Sequence, residues 1–257
     1  GNGFAGGNAG TFTVNAGVAL DSDDITAIGG KGGNGGQASN IGVNGNGANG
    51  GTGGILTLSG QACCLRNIDV SGGNGGDAGT GGFFGNGGNG ATAGRIRLQS
   101  FEEIQTENLF PSGGKGGVLG GVAGGVAGIC ASGGTITANS SAGGVFVFAD
   151  VSATGYGAVS GVPNQGGTIS LSSGDPLTGV AVGGGVSARG EDGANGGQIT
   201  INAPDVAIGF FGGFAPGLDV SSDTATGGTI NVTTTSLIDP LSNNLCGCSN
   251  NFIGGGI

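Results

Sequence analysis

The sequence contains no histidine, methionine or tryptophan, and only 9% of its 257 residues are charged. The absence of histidine excludes a histidine metal site, a Ser-His-Asp triad and proton transfer through imidazole. Six Lys and Arg against sixteen Asp and Glu leave a net charge of −10, so nucleic acid is not an expected partner. No long run of Ala, Leu, Lys and Glu is present, which argues against a helical protein.

Long apolar segments are lacking as well. The longest uncharged run lies between Lys115 and Asp150 and is crowded with Gly, Ser, Thr and Asn, so we expect no membrane-spanning helix. The chain begins at Gly1 without an initiator Met or a basic and apolar leader. We therefore expect a processed mature protein or a fragment.

Glycine dominates what is present, with 69 of 257 residues, against an average share of roughly 7%. Hydrophobic residues still make up 36% of the chain and recur in order, which indicates a packed core rather than a disordered tail.

A five-residue phrase occurs seven times, with apolar residues at its second and fourth places and a Gly before each copy. This alternation is the period of a half-buried β-strand. The copies begin at Thr11, Ile55, Arg95, Thr135, Thr168, Gln198 and Thr229. A second strand signal follows most copies, as at 25–28 and 68–71.

One unit of about thirty residues cannot bury its own apolar face, whereas stacked units can. The repeat therefore predicts an all-β protein, a parallel β-solenoid of about seven coils. A β-sandwich is the rival interpretation, because it also uses many short strands. We assign residues 1–245 to one solenoid domain and 246–257 to a tail that could dock onto another chain.

Gly-rich segments at 29–54, 72–94 and 113–134 are predicted to project as arms from the first three coils. The first two divide into triplets with a small second residue and a mostly polar third residue. Period three is typical of polyproline-II or polyglycine-II helices, which have no internal hydrogen bonds. We therefore predict a layered bundle joined by backbone amides, with a mobile loop as the alternative.

The outward third places of these arms include seven amide and carboxylate residues, which we treat as candidate site residues. They are Asn34, Asn46, Asn49, Asn74, Asp77, Asn86 and Asn89. The third arm is expected to lose the triplet register after Val118, where it becomes apolar.

Five cysteines are present, and none of them forms a CxxC pair. They are Cys63, Cys64, Cys130, Cys246 and Cys248. Without CxxC or histidine a zinc site is not expected, and disulfides in an oxidising compartment are predicted. Small buried thiols are the alternative.

The Gly-Gly-led phrases at 166–171, 196–203 and 227–232 resemble filamentous-haemagglutinin-type β-helix exoproteins of bacteria. This resemblance implies a secreted, right-handed parallel β-helix used in adhesion or matrix building. Separately, residues 29–54 and 72–94 look like the polyglycine-II bundles of springtail antifreeze proteins and of some phage tail-fibre adhesins.

Catalytic signals are weak, because the six basic residues are scattered and the acidic groups at 21–24 and 102–103 fall on predicted turns. We expect no enzyme activity and no cofactor, with Ca²⁺ at these turns as the only weak candidate.

The function we expect is that of an extracellular structural protein assembling head to tail with copies of itself. An adhesin that reads a glycan or cell surface with its arm tips is one alternative, and an ice-binding protein with outward Thr and Asn is another.

Overall fold

The computed structural model describes residues 1–38, 41–121, 124–157, 164–209 and 217–234, together with the strand Ile253–Gly254. These residues contain no helix, and every pairing between their strands is parallel. The predicted all-β parallel solenoid is therefore confirmed. A sandwich of antiparallel sheets does not fit these pairings.

The seven repeated phrases form one sheet, which we call the long sheet. Its strands, in spatial order, are β1 (Thr11–Asn15), β4 (Ile55–Gly60), β7 (Arg95–Ser100), β10 (Thr135–Ser140), β14 (Thr168–Ser173), β18 (Gln198–Asn202) and β21 (Thr229–Thr233). Each strand pairs with the next copy of the phrase without a shift, so that Leu56 lies beside Ile96 and Ile96 beside Ile136.

A second sheet contains strands of three residues each. They are β2 (Leu20–Ser22), β5 (Cys63–Leu65), β8 (Ile104–Thr106), β11 (Val145–Val147), β15 (Val180–Val182) and β19 (Val206–Ile208).

A third sheet contains the second strand signals that the sequence predicts. Its strands are β3 (Ile25–Thr26), β6 (Asn67–Asp69), β9 (Asn108–Phe110), β12 (Val151–Ser152), β16 (Val186–Ser187), β20 (Leu218–Asp219) and β22 (Ile253–Gly254). A separate pair joins β13 (Gly155–Tyr156) to β17 (Gly190–Glu191). The rest of the proposed docking tail, 246–252 and 255–257, lies outside the described residues.

Each turn of the solenoid contains three strands, whereas the sequence predicts two, and this is the main difference between them. The second sheet is missed because a strand such as Cys63–Leu65 is too short to display a two-residue period beside the Gly-rich linkers. The inward residues of all three sheets share one core, in which Leu58, Ile104 and Val151 are buried. Burial of each such side chain stabilises the fold by roughly 1.5–3 kcal/mol.

Candidate functional site

The glycine arms pack against one another through backbone hydrogen bonds between segments distant in sequence. We call the half of an arm before its tip outgoing and the half after it returning. Gly32 N–H donates to Asn74 O at 2.9 Å, which joins the outgoing halves of the first two arms. Ala48 N–H donates to Gly33 O at 2.9 Å and Gly76 N–H to Ala48 O at 2.8 Å, which joins outgoing to returning halves. The predicted layered bundle is present.

The outward side chains complete this network. Oδ1 of Asn49 accepts the N–H of Asn89 at 2.9 Å, and Oδ1 of Asn89 accepts the N–H of Ile129 at 2.9 Å. All seven candidate residues accept such a bond from the following arm, so we call this set the amide ladder. Its other members are Asn34, Asn46, Asn74, Asp77 and Asn86. In seven triplets of the second and third arms, the amide that points outward thereby finds an acceptor.

Sequence reasoning places these seven residues outward but misses their role as acceptors. A signal for it exists, because within each half of an arm the third places align with those of the next arm at a constant offset. Asn46 and Asn49, for example, each meet a residue 40 positions later.

The third arm keeps the triplet register, contrary to the prediction that it ends at Val118. Gly128 N–H donates to Gly117 O at 2.8 Å and Ala131 N–H to Gly114 O at 3.0 Å, as in the earlier arms. The residues at its third places carry no amide or carboxylate acceptor, as at Val118, Val126 and Ile129. No further long arm follows among the described residues, so an acceptor at Val118, Val126 or Ile129 would have no amide of a later arm to serve, whereas Ser132 near the base of the arm accepts the N–H of Gln165 at 3.2 Å.

Close approach of the backbones explains why the second places are small. At Gly76, an added Cβ would overlap the backbone carbonyl oxygen of Gly33, so the two segments would have to shift apart. At Gly7, in the first layer of the bundle, an added Cβ would have no atom within 4 Å.

The arm tips expose an apolar surface, which we call the tip patch and define as Ile41, Val43, Phe83, Phe84 and Leu119. Ile41 is 90% exposed, and the other four are also exposed. No charged residue occurs at 38–44, 79–85 or 119–125.

The tips are tightly constrained. Oδ1 of the buried Asn44 accepts N–H groups from Ala38 at 3.2 Å and Gly82 at 3.1 Å, which ties together the tips of the first two arms. Phe84 has a φ of 53°, a region that bulky residues seldom adopt. The surrounding contacts therefore hold the backbone of Phe84 in a costly conformation.

The first coil presents an open edge. Within the described part of the chain, strand β1 pairs with β4 alone, and Phe12 is 51% exposed although its register partner Leu56 is 0% exposed. The N–H groups of Phe4 and Gly7, in the first layer of the bundle, have no acceptor among the described residues. Unpaired strand edges and bare core positions favour association with another chain.

The cysteines are separated by the fold. Cys63 points into the core and Cys64 points away from it, because successive side chains of a strand alternate. Burial raises the pKa of the Cys63 thiol to about 11. Cys63, Cys64 and Cys130 are free, so no disulfide occurs among the described residues. Cys246 and Cys248 lie outside them.

The acidic turns bind neighbouring polar groups. Asn67 Nδ2 donates to Asp24 at 2.9 Å, and this bond holds the pKa of Asp24 below its usual value. Arg66 pairs with Glu107 at 3.1 Å. No group of three or more Cys, Asp and Glu placed to hold a metal occurs among the described residues, and the weak calcium contact stays a prediction.

Comparisons with protein-family models, curated proteins and solved structures found no match. The resemblance to haemagglutinin-type exoproteins thus remains a prediction from the sequence. Within the described part of the chain, no helix has the length and apolar character required to cross a bilayer.

Proposed function

We propose that this chain is a non-catalytic, extracellular structural subunit that assembles head to tail with copies of itself. The observation that carries the proposal is the open edge of the first coil. There, Phe12 is exposed at a core position, and the edge of β1 opposite β4 meets no strand of the described residues.

A second copy offers a strand of the same pattern. Strand β21 reads Thr-Ile-Asn-Val-Thr and β1 reads Thr-Phe-Thr-Val-Asn. Among the described residues, β21 pairs in the long sheet with β18 alone. Continuing the parallel register would set Ile230 of one copy beside Phe12 of the next. Such a contact between two different surfaces generates an open filament.

The test measures the size of the particles that the purified protein forms in solution as its concentration rises. We expect elongated oligomers in sedimentation velocity and by negative-stain electron microscopy. Phe12→Asp places a charge at the open core and should give monomers. Phe101→Asp is the matched control, because Phe101 is 62% exposed on a turn away from this edge. Monodisperse monomers of the unmodified chain at high concentration would refute head-to-tail assembly.

A second candidate function is binding of a glycan or cell surface by the arm tips. The tip patch favours it, because exposed apolar and aromatic residues are held there on a hydrogen-bonded support. Exchange of Phe83 and Phe84 for Ser should abolish saturable binding to a glycan array or to cells without changing assembly. Equal binding by this variant would remove the tip patch from consideration.

A further inference from the structure

Two arginines stand side by side on the outer face of the long sheet. Arg95 and Arg97 lie on β7 on either side of the buried Ile96, and both are exposed. Residues two apart on a strand point to the same face, so their guanidinium groups share one surface. The strands on either side place Thr57 and Thr137 next to Arg97.

This arginine pair has no ion-pair partner among the described residues. The ion pairs of the described residues use Arg66, Lys115 and Arg189, and neither Arg95 nor Arg97 takes part in one. The outward positions of the long-sheet strands contain no Asp or Glu. The outward positions of the long-sheet strands therefore carry two cations and no acid, although the chain has a net charge of −10.

A groove continues the same row of side chains. Arg95 lies in register with Thr135, and that row proceeds to Thr168, Gln198 and Thr229 on successive strands. The groove has a volume of about 420 Å³. Its lining contains Thr168, Gln198 and Thr229 of this row, the Gly-Gly pair before each of them, and Gln165, Asn195 and Thr226.

We propose that this row is a binding site for an acidic polysaccharide, a hydroxylated polymer bearing carboxylate or sulfate groups. Guanidinium groups bind such anions through paired, charge-assisted hydrogen bonds. The hydroxyl and amide groups of the groove exchange hydrogen bonds with sugar hydroxyls. Neighbouring strands lie about 4.8 Å apart, so an extended polymer meets a similar set of polar groups at each coil.

The same observations disfavour nucleic acid as the occupant. Affinity for a phosphate backbone rises with the number of phosphates neutralised, and this face offers two cations. Binding of single strands further relies on aromatic side chains that stack on bases, and the outward positions of the long-sheet strands carry none.

The experiment measures binding of polygalacturonate fragments to the full chain by isothermal titration calorimetry, in buffer containing a chelator. Neutral dextran and a single-stranded oligonucleotide are the comparison probes. We expect saturable binding of polygalacturonate and negligible binding of both comparison probes. Equal or tighter binding of the oligonucleotide would overturn the proposal, as would equal binding of dextran.

Variants locate the site. Arg95→Gln and Arg97→Gln should each weaken binding by about tenfold, and both side chains are exposed, so the fold should persist by circular dichroism. Arg66→Gln is the matched control, since it removes the same charge from a paired arginine elsewhere. Gln198→Ala should weaken the binding of long fragments more than that of short ones, because only a long fragment extends from the arginines to the groove. Unchanged affinity in both arginine variants, or an equal loss in Arg66→Gln, would refute the site.

Discussion

The solenoid and the arm bundle both pack chain segments closely with paired backbone amides, but they do so with opposite kinds of side chain. In the solenoid, apolar side chains such as Leu98 and Ile136 fill a continuous core, and the backbone pairs along strands. In the bundle, the inward positions carry almost no side chain, and adjacent segments touch through their amides. The difference teaches that close packing needs either large side chains that interlock or nearly none, provided that every buried amide is paired.

The largest expected effect lies in the solenoid core. Leu98→Ala removes a side chain that is buried between Leu58 and Ala138 in the register, and it should lower the free energy of unfolding by about 2–5 kcal/mol. Urea denaturation followed by circular dichroism measures the change. Leu98→Ile keeps the volume and should cost less than about 1.5 kcal/mol. Equal losses for both variants would mean that volume is not what the core requires.

The next effect tests whether the bundle tolerates a methyl group. Gly76→Ala adds a Cβ that overlaps the Gly33 carbonyl, so the segments must separate and stability should fall by about 1–3 kcal/mol. Hydrogen exchange should quicken in 29–54 and 72–94 while the strand Arg95–Ser100 stays protected.

Gly7→Ala is the control for this substitution, because its new Cβ meets no atom. If Gly76→Ala instead quickened exchange in the long sheet as well as in the arms, the two regions would unfold as one unit. They would then differ in how they pack but not in when they unfold.

The smallest effect concerns a single rung of the amide ladder. Asn49→Ala removes the acceptor of the Asn89 N–H and should cost about 0.5–1.5 kcal/mol. Asn49→Asp keeps a carboxylate acceptor, as Asp77 does naturally, and should retain most of that stability. Thermal unfolding compares the two variants, and an Asp variant as unstable as the Ala variant would argue against the ladder.

The strands of the long sheet are predictable because five residues of strict alternation bury two apolar side chains each. The second sheet is not predictable in this way, since the alternation in a segment such as Val145–Val147 spans only three residues. The arms are predictable from their period, because a repeated small residue reveals a close approach of backbones.

The residues that make up the amide ladder and the arginine face could not be predicted in full, because their roles depend on which chain segments meet in space. From the sequence alone, Asn89 is expected to be a solvated polar residue, because its partner lies in the third arm. The triplet register of that arm is hard to recognise, because valines occupy places that are polar in the first two arms. Arg95 and Arg97 look scattered among six basic residues, because the sequence does not show that the whole surrounding face is free of acids.

The amide ladder also gives the bundle a direction. Every member receives its bond from the arm that comes later in the chain, whereas backbone N–H groups donate in both directions between layers. A layer turned over would separate these side-chain oxygens from the N–H groups that they accept. Growth of the bundle by gene duplication is therefore favoured only when a new arm enters with the same orientation, and substitutions at the last arm are freer than those in the layers before it.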